Sequence, residues 1–150
     1  MFVYSELAGD NSTRRIQTWV LIFINKSPIH WYRKRQATFE ASTLGADLFA
    51  MKAGVEMVED LRYNLLMFVV PIDGFANVFC DNEAVYNNTI TPDSILKNNY
   101  HSIAYHRYRE AVDDNTTRVD KQVTEKNLSY LFTKIMTASR RRLLLGKLTY

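Results

Sequence analysis

Asp81 is the residue whose type and placement speak most directly of chemistry. It closes an apolar run at residues 76–80, and a carboxylate at the carboxyl end of an inner strand stands where open α/β sheets gather ligands and catalytic groups. The same residue opens the string Asp81-Asn82-Glu83-Ala84, so it reads equally well as the N-cap of a following helix. Asp47 lies three residues after Leu44 and four before Met51, on the flank of an apolar stripe, where an acid either faces a cleft or marks the boundary of the core. His101 and His106 share a segment with Arg107 and Arg109. Their spacing puts the rings about 140° apart around a helix, which argues against a shared metal ion and for surface histidines. Basic residues gather at Arg14-Arg15, Arg33-Lys34-Arg35 and Arg140-Arg141-Arg142; such clusters are phosphate-binding surfaces or simply solvated faces. The sequence has no glycine-rich phosphate loop, nucleophile elbow or paired-cysteine motif, which removes the commonest nucleotide, acyl-transfer and zinc chemistries.

These residues need elements to position them. Residues 1–5 read as a short strand and residues 8–12 as a turn. Residues 16–24 are too continuously apolar for a strand with one wet face, which predicts an inner strand buried on both sides. A turn at residues 25–28 and alternation over residues 29–33 predict a returning strand, and with the first strand a meander. From Ser42 the period changes. Leu44, Leu48, Met51, Val55, Val58, Leu61 and Leu65 recur at three- and four-residue steps, the pattern of an amphipathic helix with Ser42 or Thr43 as N-cap. Residues 71–74 break it, residues 76–80 form a strand, and a helix follows from Glu83. A further helix over residues 100–112 carries Ala104, Tyr108 and Ala111 on one face, and residues 118–123 form a last strand. Thr124 then caps a final helix bearing Leu128, Leu131, Phe132 and Ile135. This order predicts an α/β fold with a mixed sheet, its early strands antiparallel and its later ones returning through helices.

The 150 residues, 47% hydrophobic and 23% charged, suit one domain with one core, and the net charge of +3 permits an acidic partner without demanding one. Cys80 is the single cysteine, so no internal disulfide forms and the expected setting is intracellular. The apolar runs fall far short of the roughly 20 residues that span a bilayer, and the start of the sequence lacks the pattern of a secretory signal.

The residues also resemble a known family, the ribonuclease H domain of copia-type retrotransposon polyproteins. The resemblance runs through nearly the whole chain in order. FVYSELAGD at residues 2–10 is similar to an opening strand usually of the form FVDADxAGD, and Arg14-Arg15 follows it. Pro28-Ile29-His30-Trp31-Tyr32 with Lys34-Arg35-Gln36 resembles a P-I-x-W-x-x-K-x-Q segment. STLGADLFA at residues 42–50 matches an S-T-x-x-x-E-[FY]-x-A helix start. VFCDN at residues 78–82 and HRYRE at residues 106–110 resemble the third block and the basic helix, and NLSYLFTK at residues 127–134 resembles the closing N-L-S-D-x-x-T-K.

The resemblance implies a ribonuclease H-like sheet of three antiparallel strands plus two parallel additions, in one domain spanning residues 1–150 with a first strand cut short at its amino end. It implies hydrolysis of the RNA strand of an RNA–DNA hybrid, with paired Mg²⁺ or Mn²⁺ ions held by converging carboxylates. It also implies a reverse transcriptase domain as partner within a parent polyprotein, and no membrane. Two of the four acidic positions depart from the pattern. Tyr4 and Tyr130 stand where the family has Asp, Asp47 stands where it has Glu, and Asp81 is retained. A phenol, with a reference pKa of about 10, is neutral at pH 7 and a poor Mg²⁺ ligand. The expectation is therefore a weak or absent metal site at Asp47 and Asp81, and impaired hydrolysis. Two alternatives stay open. One is a surviving endoribonuclease using Asp47 and Asp81 with help from Glu6 or Asp10. The other is a non-catalytic module that binds hybrid or duplex nucleic acid through Arg33, Lys34 and Arg35, with Trp31 and Tyr32 beside them.

Overall fold

The computed structural model describes residues 1–6, 16–36, 42–91, 102–123, 128 and 137–146, and of Phe2, Val3, Tyr4 and Glu6 the backbone. The elements are β1 (Phe2–Glu6), β2 (Gln17–Ile24), β3 (Ser27–Arg35), α1 (Thr43–Met67), β4 (Ala76–Cys80), α2 (Glu83–Ile90), α3 (Ser102–Asp113), β5 (Thr117–Lys121) and α4 (Ala138–Leu145). The five strands form one sheet in the order β3-β2-β1-β4-β5. β1 is central, antiparallel to β2 and parallel to β4, and β4 is parallel to β5. This is a ribonuclease H-like mixed α/β sheet, a three-stranded meander with two parallel additions.

The apolar run of β2 is buried on both faces because the sheet is covered on both. Val20 and Ile22 pack into the main core with Leu48, Met51, Val55 and Val58 of α1. Leu21, on the opposite face, packs with Leu128 and with Leu144 of α4. The turn between β2 and β3 is two residues, Asn25 and Lys26, both at positive φ (47° and 71°), the backbone that matches the twist of a tight hairpin. β3 runs longer than its alternating segment, from Ser27 to Arg35. Being an edge strand it needs no continuous apolar face, so its charged end still pairs with β2. Pro28 sits at its start, beside a register shift between Ile22 and Phe23, where a missing N–H is tolerated.

Ser42 is the N-cap of α1, its Oγ accepting from the Gly45 N–H at 3.1 Å. The other end closes in a Schellman motif, with the Val70 N–H donating to the Leu65 carbonyl at 3.0 Å and the Val69 N–H to the Leu66 carbonyl at 2.9 Å. Val69 occupies the left-handed position of that motif at φ 60°, where glycine is usual and a β-branched side chain is strained. α3 packs on α1 through Ala104, Tyr105, Tyr108 and Ala111, all buried, and Arg107 forms an ion pair with Glu59. The final helix expected from Thr124 through Ile135 lies outside the described residues except for Leu128. The last described helix is α4, whose Arg140, Arg141 and Arg142 are exposed.

Two substitutions test this packing. Leu48→Ala, at a fully buried site, is expected to lower unfolding stability by about 2–5 kcal/mol in denaturant titration. Val69→Gly, at an exposed site, is expected to raise it by about 1 kcal/mol by relieving the left-handed strain.

Candidate carboxylate site

β1 and β4 lie side by side and run the same way, so both carboxyl ends meet at one edge of the sheet, and the first turns of α1 cross above them. Asp47, five residues into α1, is carried to this meeting point and is buried there, 8% exposed. Its Oδ1 accepts hydrogen bonds from Ser5 of β1, from the backbone N–H at 3.2 Å and from the hydroxyl at 2.5 Å. Its Oδ2 accepts from the Asn82 side-chain amide at 2.7 Å. The Asn82 carbonyl oxygen faces the other way and caps α2, accepting from the Ala84 N–H at 2.9 Å and the Val85 N–H at 3.4 Å. One amide thus ties the carboxylate to the start of a second helix.

Asp81 precedes Asn82 and is half-buried at the carboxyl end of β4. The helix cap falls on Asn82 rather than on Asp81, so the capping reading of Asp81 is corrected: the carboxylate is left at the strand end, and its neighbour supplies the cap. Asp47 and Asp81 are brought close enough for the charge of one to act on the other. Burial, the larger influence, raises the Asp47 carboxyl above the usual carboxylate range, and the charge of Asp81 adds to it. The hydrogen bonds from Ser5 and Asn82 pull the other way without cancelling the rise. Beneath them the buried Cys80 thiol is pushed up to about 12 by burial and by the Asp47 charge, which makes it inert as a nucleophile.

The other residues named from the sequence fall as follows. Tyr4 is in β1, its backbone paired with Trp19, and its neighbour Ser5 meets Asp47. Glu6 ends β1, paired with Gln17. Asp10, Tyr130 and His101 lie outside the described residues, and His106 is exposed on α3. Strand alternation sets Arg33 and Lys34 on opposite faces of β3. Arg33 lies over the Trp19 ring at 4.4 Å and donates to Gln17 Oε1 at 2.9 Å. Lys34 and Arg35 border a cleft of about 220 Å³ between β3 and α1, with Tyr32, Gln36 and Lys52. Trp31 is 70% exposed, whereas Tyr32 packs against the main core.

A chain met residue by residue gives little warning of Ser5. Asn82 had a signal, the helix-start string that follows Asp81. Whether the site suits divalent ions turns on its donors. Magnesium needs near-octahedral oxygen ligation, and a carboxylate offers about four lone-pair directions. On Asp47 the hydrogen bonds from Ser5 and Asn82 take three of these. Among the described residues no group of three or more His, Cys, Asp or Glu side chains is placed to hold a metal ion.

The chain is similar to part of a retrotransposon polyprotein. The relative is the retrovirus-related Pol polyprotein from transposon TNT 1-94 of Nicotiana tabacum, 25% identical over 143 residues, covering 91% of this chain and 10% of the relative. No family model matches. The similarity supports an origin in a retrotransposon Pol polyprotein, of which this chain spans about a tenth of the length. Among the described residues no helix is long and apolar enough to cross a membrane.

The raised Asp47 carboxyl has a signed consequence for stability. Its folded state holds a proton more tightly than the unfolded chain does, so the contribution of this group is greatest in acid. It declines as pH rises from the ordinary carboxylate range through the folded value. Asp47→Asn is expected to flatten that decline in urea titrations run from acid to neutral pH. It is also expected to cost about 1–3 kcal/mol, because one amide oxygen cannot accept from both Ser5 and Asn82.

Proposed function

We propose that this chain is a ribonuclease H-like domain of Pol polyprotein descent in which hydrolysis of the RNA strand of RNA–DNA hybrids is severely impaired. The observation that carries the reading is the inward commitment of Asp47. Both of its oxygens accept hydrogen bonds from within the protein, so the acid that the resemblance assigns to metal binding acts here as a structural acceptor. Ser5 stands where the family's opening strand has Ala, and its hydroxyl supplies one of those bonds. Replacement of acids by Tyr4 and Tyr130 fits the same reading, since fewer crowded carboxylates means less like-charge repulsion when no cation is bound.

A second reading, retention of nucleic-acid binding without chemistry, is favoured by the cleft beside β3. Lys34, Arg35 and Lys52 stand around it, and such side chains engage the phosphate backbone of a hybrid or duplex as point charges or forks. The reverse transcriptase domain of a parent polyprotein is the natural companion for either reading.

The deciding experiment is incubation of the purified chain with a labelled RNA–DNA hybrid in Mg²⁺ and in Mn²⁺. No turnover above background is expected, and partial recovery is expected in the double variant Tyr4→Asp with Tyr130→Asp. Robust turnover by the natural chain, abolished by Asp81→Asn, would overturn the proposal. For the binding reading, Lys34→Ala and Lys52→Ala are each expected to weaken hybrid binding and reduce the logarithmic salt slope by about 1. Absence of binding at low ionic strength removes that reading.

A further inference from the structure

The face of the sheet turned away from α1 carries an aromatic and cationic surface at its β3 edge. Leu21 of β2 projects to that face and packs with Leu144 of α4, and by alternation Trp19 projects there too. Across the ladder Trp31 stands opposite Leu21 and Arg33 opposite Trp19. Directly opposed side chains share a face, so Trp31 and Arg33 point the same way, while Tyr32 between them packs into the main core. Arg33 is held in place. Its guanidinium lies over the Trp19 ring at 4.4 Å and its Nε donates to Gln17 Oε1 at 2.9 Å, which leaves the two terminal nitrogens without a hydrogen-bond partner among the described residues. Trp31 stands about 7 Å away along the strand and is largely in solvent. α4, seated on Leu21, adds Arg140, Arg141 and Arg142, all exposed. β2, β3 and α4 contain no Asp or Glu, so the charge on these three elements is of one sign.

We propose that this face binds single-stranded nucleic acid, with a base stacked on Trp31 and the adjoining phosphate received by Arg33. The site goes beyond the hybrid cleft of Lys34 and Lys52, which lies on the α1 face, and each of the two can fail without the other.

Three observations favour this occupant. The Trp31 indole presents a π-face to water, and an unpaired base covers such a face whatever its identity, whereas bases inside a duplex are already stacked on one another. The Arg33 fork is oriented before any ligand arrives, by a ring beneath it and an acceptor beside it. Little side-chain freedom is therefore lost when its terminal nitrogens meet phosphate oxygens. The positive charge of β3 and α4 complements a polyanion and raises its local concentration at this edge. An acidic polypeptide would match the charge, but its carboxylates give the exposed indole nothing to stack on.

The test is a fluorescence-anisotropy titration of a labelled oligothymidylate with the full chain at low ionic strength. Trp31→Ala is expected to weaken binding about tenfold, the loss of one stacked base, and Trp31→Phe to keep most of the affinity. Arg33→Ala is expected to weaken binding and to reduce the logarithmic salt slope by about 0.7, the share of one phosphate on a single strand. Both side chains are exposed, so these variants are expected to keep the Tm of the natural chain. The bound strand is also expected to quench tryptophan emission in the natural chain and not in Trp31→Phe. A labelled RNA–DNA hybrid titrated in parallel reads the cleft separately, through Lys34→Ala and Lys52→Ala. Absence of single-strand binding overturns the proposal, as does unchanged affinity in Trp31→Ala or a Trp31→Phe chain that binds no better than Trp31→Ala. So does displacement of the strand by poly-glutamate at equal charge concentration, since that assigns the face to an acidic polypeptide.

Discussion

A carboxylate taken out of water is costly unless donors surround it, and the upper half of this fold is arranged around that cost at Asp47. The two donors on Ser5 come from the central strand, and the third comes from the residue that starts α2. Satisfying one side chain therefore fixes β1, α1 and the β4–α2 junction against one another. With the start of α1 pinned over the centre of the sheet, its apolar stripe descends onto β1 and β2, and Leu48, Met51, Val55 and Val58 meet Val20 and Ile22 in one core. Gln36 extends the seam, donating to Thr18 Oγ1 at 2.7 Å and to the Ala46 carbonyl at 3.3 Å, so the end of β3 is tied to the same turn of α1.

That arrangement bears on chemistry as well as on stability. A cation can draw on a carboxylate only through lone pairs that the protein leaves available, and a buried acid held by its own scaffold has few. The closeness of Asp81 raises the Asp47 carboxyl further.

Much of the scaffold was legible because it depends on periodicity. The unbroken apolar run of β2 required cover on both faces, which α1 and α4 supply from opposite sides. The three- and four-residue steps after Ser42 set the long helix and its cap, and the break at residues 71–74 set β4. The boundaries that shifted did so where tertiary context outweighs pattern. β3 extends through charged residues because pairing on an edge strand does not require apolar side chains, and the cap of α2 moved from Asp81 to Asn82 because Asn82 can serve Asp47 and the helix at once.

The sequence by itself determined the order of strands and helices through the first three helices, the mixed class of the sheet, the burial of β2, and the acids at positions 47 and 81, since residue type and spacing are local properties. Only the tertiary structure decided what those acids do to each other and to their neighbours. Ser5 and Asn82 lie 42 and 35 residues from Asp47 along the chain, and no local pattern encodes a hydrogen bond closed by the parallel pairing of β1 with β4. The division of Arg33 from Lys34 has the same origin. Neighbours in sequence point to opposite faces of a strand, and only the placement of α1 determines which face becomes a cleft.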